Sequence, residues 1–230
     1  MIRKIDNKSK NLCLTGFFRN FPVKKNIRIN SSEILVGESD REWIFFKTIC
    51  EIDLELFLQK ETQYLFFAGL FENQNELIKK YISIDWVFSS IQFVFSESEE
   101  IPSIKISCKQ IDSEFADFIY KNSMYKEYSS LKYIREQIEK GFCAGIFENK
   151  NLVAWGMIHD DDSIGFINVL PEFRRKGYAR NITLSLMHYQ RNNNRDIFLH
   201  VKSGNTKALN LFVSIGFTQT RPVYWMKLKE

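Results

Sequence analysis

From residue 103 onward, apolar positions alternate between strand-like and helix-like spacing. Ser103 to Cys108 alternates apolar and polar residues, as a half-buried strand does. Asp112-Ser113-Glu114 offers a helix start, and Phe115, Phe118 and Ile119 recur at helical spacing. Ser129 or Ser130 can cap a second helix, in which Leu131, Ile134 and Ile138 share a face and Gly141 is the stop. Phe142 to Phe147 and Leu152 to His159 predict two strands joined by Glu148-Asn149-Lys150-Asn151. Asp160-Asp161-Asp162 predicts the next turn, and Ser163 to Val169 the next strand. A helix from Gly177 to about Arg191 carries Ala179, Ile182, Leu186 and Tyr189 along one side and ends at Asn192-Asn193-Asn194. Ile197 to Val201 predicts a strand, Thr206 to Ile215 a helix stopped by Gly216, and Val223 to Leu228 a last strand.

The first hundred residues read less sharply. Glu33 to Gly37 predicts a short strand. Trp43 to Cys50 and Ile52 to Leu58 fit strand, helix or both. Thr62 to Phe71 is a strong aromatic run, Asn73 to Tyr81 predicts a helix, and Asp85 to Phe95 another strand. The polar, acidic stretch Ser96 to Ser103, with Pro102, marks a boundary. It divides the chain into residues 1–102, of uncertain role, and residues 103–230. Together the elements predict a mixed α/β fold: a smaller N-terminal α/β domain and a second domain with a central mixed sheet flanked by helices.

Composition narrows the class. Of 230 residues, 44% are hydrophobic and 26% charged, enough for an ordinary core. Aromatics reach 15%, against only 4 Pro and 10 Gly, which argues against disorder. A net charge of +4 is too small to demand a nucleic-acid partner. The scattered cysteines Cys13, Cys50, Cys108 and Cys143 lack a Cys-x-x-Cys spacing and read as reduced thiols of a cytosolic protein. Neither they nor His159, His188 and His200 show metal-ligand spacing. No apolar run has the length of a membrane span.

The segment Val169-Leu170-Pro171-Glu172-Phe173-Arg174-Arg175-Lys176-Gly177-Tyr178-Ala179 joins a predicted strand to a predicted helix. Backbone N–H groups at a helix start lack intrahelical partners, and the helix dipole adds positive potential there. Gly177 allows close backbone approach, and Arg174, Arg175 and Lys176 add charge. The combination suits a pyrophosphate.

Arg174-x-x-Gly177-x-Ala179 resembles the acyl-CoA pyrophosphate loop of the GNAT superfamily of N-acyltransferases. The element order over residues 104–228 is similar to that fold. Asn205-x-x-Ala208-x-x-Leu211-Phe212-x-x-Ile215-Gly216-Phe217 resembles a second GNAT segment. Trp155, the run Gly165 to Ala179, His200 and Trp225 are similar to the glycine N-acyltransferase branch. The resemblance implies transfer of an acetyl or other short acyl group from acyl-CoA to the amine of a small molecule or amino acid. It places Val169, Leu170, Arg174, Arg175, Lys176, Gly177, Tyr178, Ala179, Arg180, Asn205 and Phe212 at the coenzyme. It assigns the Val169 N–H to polarising the thioester carbonyl.

Two departures matter. Phe212 replaces the tyrosine that in the family often protonates the leaving thiolate, and phenylalanine has no proton to donate. Tyr224 or a water is then the candidate acid. Ser163 stands where the glycine N-acyltransferase branch places its acidic base. The base candidates are Asp162 and Asp160 first and His159 next, with Asn168 as an orienting group. A histidine has the better unperturbed pKa for the task. Glu172 reads as a helix-dipole partner and His200 as a cleft or core residue. A coenzyme-binding module without turnover is the alternative. Sequence leaves the acceptor, the acyl length and a homodimer open.

Overall fold

The structure is a computed structural model and describes residues 11–229. In chain order its elements are α1 (Leu12–Asn20), β1 (Lys25–Ile29), β2 (Ser32–Glu38), β3 (Glu42–Thr48), α2 (Glu51–Lys60), β4 (Phe66–Leu70), α3 (Glu72–Tyr81) and β5 (Ile84–Phe95). There follow β6 (Lys109–Gln110), α4 (Ala116–Asn122), α5 (Leu131–Lys140), β7 (Cys143–Glu148), β8 (Asn151–Ile158) and β9 (Ile164–Val169). The chain closes with α6 (Tyr178–Asn192), β10 (Ile197–Lys202), α7 (Thr206–Ile215) and β11 (Thr218–Leu228). Short 3-10 turns occupy Ser113–Phe115, Lys126–Tyr128 and Pro171–Phe173. The fold is mixed α/β, as expected. No helix among the described residues is long and apolar enough to cross a membrane.

Two compact units divide the chain, and they trade segments. The first runs to Gln92 and takes in Val201–Asn205 and the residues from Gln219 onward; the second is Phe93–His200 with Thr206–Thr218. The division therefore falls inside β5 rather than in the acidic stretch at 96–103.

In the first unit β1, β2 and β3 form an antiparallel meander, with Ile27 opposite Ile34 and Val36 opposite Ile44. β3 then pairs in parallel with β4 through Ile44 and Phe67, and β4 pairs antiparallel with β11. Ile34, Ile44, Leu54, Phe57, Phe67, Leu70 and Ile78 lie at its core. Two elements escaped sequence reading: α1, which carries a helix-weakening Gly16, and β1, whose pattern is mostly polar because one residue of five is buried.

The second unit carries the antiparallel strands β6 to β9, with β10 parallel to β9. Ser130 caps α5 by accepting the Tyr133 N–H at 3.0 Å. The β7–β8 turn uses left-handed Asn149 and Lys150. On one sheet face, Ile134 and Ile138 of α5 and Ile119 of α4 pack with Trp155 and Met157. The expected strand Ser103 to Cys108 does not form. The Lys105 and Ile106 N–H groups instead both donate to Asn181 Oδ1, at 2.7 and 2.9 Å, which takes them out of any ladder.

Candidate active site at the β9 bulge and the loop before α6

β9 carries one residue too many for its partner. Met157 of β8 lies opposite Gly165 and Trp155 opposite Asn168, so two steps on β8 match three on β9. The excess is absorbed at Phe166, whose φ is +52°. A bulge bends its strand and disrupts pairing. On the other edge of β9, pairing with β10 is confined to Ile164 and Leu199. The backbone from Gly165 to Val169 is thus released from β10. The Leu170 N–H donates to Val153 on β8 at 3.0 Å. Successive residues alternate edges, so the Val169 N–H points away from β8, at the unpaired edge.

The chain passes from this edge directly into the loop. Arg175 and Gly177 are both left-handed, at φ +65° and +81°. A β-carbon at Gly177 would meet one atom, Asn181 Nδ2 at 3.8 Å, so the space in front of that backbone is open. The first intrahelical bond of α6 runs from the Asn181 N–H to the Gly177 carbonyl at 3.1 Å. The N–H groups of Tyr178, Ala179 and Arg180 precede that ladder and face the loop. Asn181 Nδ2 also holds the Gly177 carbonyl at 2.9 Å, which fixes the start of the helix. The first turn contains no acidic residue.

The basic side chains divide their work. Arg174 Nε donates to the Val169 carbonyl at 3.1 Å, tying the loop to the end of β9. Lys176 pairs with Glu148 at 2.9 Å, and Tyr178 Oη donates to the same carboxylate. The Tyr178 and Lys176 contacts hold the Glu148 carboxyl below its usual range. Arg180 Nη1 reaches the Ser214 carbonyl at 3.3 Å. Arg175 is exposed and engages no group among the described residues.

The two aspartates expected to supply a base, and Asp161 between them, have different settings. Asp162 is buried and paired with Arg195 at 2.5 Å, and its carbonyl accepts from Gln190 Nε2 at 2.5 Å. Asp161 is also buried and accepts the Ser163 hydroxyl at 2.6 Å and the Ser163 N–H at 3.0 Å. Those are the settings of turn-holding carboxylates. Asp160 is half-buried and lies 3.3 Å from Tyr133 Oη. The same hydroxyl lies 2.7 Å from His159 Nδ1. His159 packs between Tyr133 and Phe166, with ring centroids 6.1 and 5.3 Å away. The residue is half-buried, and desolvation of the ring pushes its pKa down to about 4. The ring is neutral at pH 7. Gly165 is what admits it: a β-carbon there would fall 2.1 Å from His159 Nε2.

The structure thus brings His159 and Asp160 to the bulge, and Val169, Leu170 and residues 174–180 into one continuous turn. Asn168 sits on β9, and its Nδ2 donates to the Asn122 carbonyl at 3.4 Å. Phe212 is buried in α7 against Phe217. Asn205 and Tyr224 belong to the first unit. Tyr224 lies opposite Leu70 in the β11–β4 ladder, and desolvation raises its pKa. Glu172 is exposed in the 3-10 turn, and the His200 side chain is buried 3.8 Å from Asp161. The buried Cys143 thiol is pushed up to about 12 and Cys108 to about 11, so neither is a thiolate at neutral pH. Tyr133 and Gly165 were not singled out from sequence. The one available signal was a hydroxyl-bearing aromatic beside the apolar face of α5.

Comparison with known proteins agrees with this architecture. Residues 140–226 match the family described as FR47-like protein. No curated protein gives a significant sequence match. Among solved structures, a Drosophila protein aligns over 90% of this chain and 77% of its own, with TM-score 0.73 and 16% identity. A GCN5-related N-acetyltransferase from Kribbella flavida aligns over 96% and 98%, with TM-score 0.62 and 10% identity. A GNAT-family acetyltransferase from Colwellia psychrerythraea aligns over the whole of both chains, with TM-score 0.56 and 13% identity. Residues 140–226 therefore carry an FR47-like pattern within a chain that has the fold of GNAT acetyltransferases.

Proposed function

We propose that the protein transfers a short acyl group, acetyl in the simplest case, from acyl-CoA to the primary amine of a small molecule or amino acid. One observation carries the reading. A strand edge freed by a bulge runs without interruption into an open, glycine-gated helix start. The first offers N–H groups to a thioester and its amide-bearing arm, the second to a diphosphate. The diphosphate would be held by the N–H groups of Gly177 to Arg180 and the unengaged Arg175. The Val169 N–H would face the thioester oxygen as it gathers negative charge.

In the reaction the amine nitrogen attacks the thioester carbon. The N–C bond forms, the C–S bond breaks, and sulfur leaves with the electron pair. The nitrogen sheds a proton, and the base proposed for it is His159, neutral and set beside the bulge. A neutral imidazole is available at every pH above its pKa. The proton it removes sits on a nitrogen already bonded to carbon, which is far more acidic than a free ammonium.

The replacement of a proton donor by Phe212 supports a second reading, a coenzyme-binding module without turnover. Calorimetry with acetyl-CoA, followed by a free-thiol assay in the presence of mixed amines and amino acids, separates the two. Binding with amine-dependent thiol release supports the transferase. Binding without release supports the module, and no binding removes both.

A further inference from the structure

Tyr133 stands between two groups with opposite demands. Its single hydroxyl proton can go to His159 Nδ1, 2.7 Å away, or to Asp160 Oδ1, 3.3 Å away. The Asp160 backbone N–H also approaches the same oxygen, at 3.4 Å. A carboxylate can only accept. If the tyrosine proton went to the histidine, Oη would turn a lone pair toward the Asp160 carboxylate. If it goes to Asp160, every group is satisfied. Oη then donates once and accepts twice, from the Asp160 N–H and from a proton on His159 Nδ1.

The other ring nitrogen has a different setting. His159 Nε2 has no hydrogen-bond partner among the described residues, and the residue as a whole is half-buried. It lies against Gly165, one residue before the bulge. A tautomer with its proton on Nδ1 leaves the Nε2 lone pair bare at that point.

From this we infer that Tyr133 and Asp160 are positioning residues that fix His159 in the Nδ1–H tautomer and aim Nε2 at the bulge as the proton acceptor. The inference rests on the acyl-transfer reading for the source of the proton, but not for the tautomer. In turnover, Nε2 takes the proton from the amine nitrogen once the N–C bond has formed. The resulting imidazolium keeps its Nδ1–H bond to Tyr133, and through that hydroxyl its charge is felt by Asp160. Nε2 then returns the proton to the departed thiolate or to water.

Two measurements test it. Nitrogen-15 NMR of histidine-labelled protein, with His159 assigned by its loss in His159→Asn, reads the tautomer directly. The wild-type protein should show Nδ1–H. Asp160→Asn presents an amide that can donate to Oη, which turns the hydroxyl toward His159 and moves the signal to Nε2–H. Tyr133→Phe should lower kcat by roughly tenfold or more and leave KM for acetyl-CoA within about twofold, as loss of proton transfer without loss of binding requires. An Nε2–H tautomer in the wild type overturns the inference, and so does an Nδ1–H signal that Asp160→Asn leaves in place. If the tautomer responds as stated but no amine releases thiol, the transferase reading fails while the relay stands.

Discussion

His159 links stability to pH in a direction that can be worked out. Its pKa in the fold, about 4, lies below the 6.5 of an unperturbed histidine. Below 6.5 the unfolded chain takes up a proton that the folded one refuses, so the stabilisation present above 6.5 is lost as pH falls toward 4. Unfolding by urea at pH 7 and pH 5 should show a loss of about 1–2 kcal/mol that is absent in His159→Gln. Tyr133 and Phe166 pack against the ring and supply the desolvation. Asp162 gives a contrasting case. It is 1% exposed and its partner Arg195 is about a quarter exposed. Asp162→Asn should cost about 2 kcal/mol of stability, below the usual figure for a fully buried pair because the arginine is partly solvated. Acetyl-CoA binding, measured by calorimetry, should be unchanged in it. The two aspartates lie in one tripeptide that reads as a plain turn in sequence. Their roles separate only when Arg195 and Tyr133, distant in the chain, arrive beside them.

At the scale of elements, the loop before α6 was legible because everything it needs is local. Strand, proline, basic run, glycine and helix start follow one another within eleven residues, and the structure keeps that order. The left-handed Gly177 permits a stringent test. Gly177→Asp combines an unfavourable backbone angle with a negative charge at the helix N-terminus of the proposed diphosphate site. It should weaken acetyl-CoA binding by about a hundredfold or more (about 3 kcal/mol) in calorimetry, and unchanged affinity would count against the site. The bulge in β9 was not legible, since its signal is a register mismatch with β8. Ser103 to Cys108 failed for a related reason. Its alternation satisfied the strand pattern, but Asn181, some 75 residues on, claims the two N–H groups a ladder would have used. Alternation reports which side chains face inward and says nothing about where the backbone donors go.

At the scale of the whole chain, the acidic stretch at 96–103 has the composition of a linker, yet it lies within the second compact unit. Composition detects a polar surface segment, and such segments occur inside domains as well as between them. The expression of residues 103–230 alone should therefore give a poorly folded product, with weak near-ultraviolet circular dichroism and no cooperative melting. A well-dispersed NMR spectrum from that fragment would contradict the expectation. The reason lies in how the polypeptide is threaded. It leaves the first unit after Gln92, revisits it at Val201–Asn205, departs again for α7 and comes back from Gln219. No single scissor cut through the gene frees either unit intact. A deletion that trims the C-terminus strips strand β11 from the unit that begins the chain, so truncation series on this protein will report damage far from where the sequence was shortened.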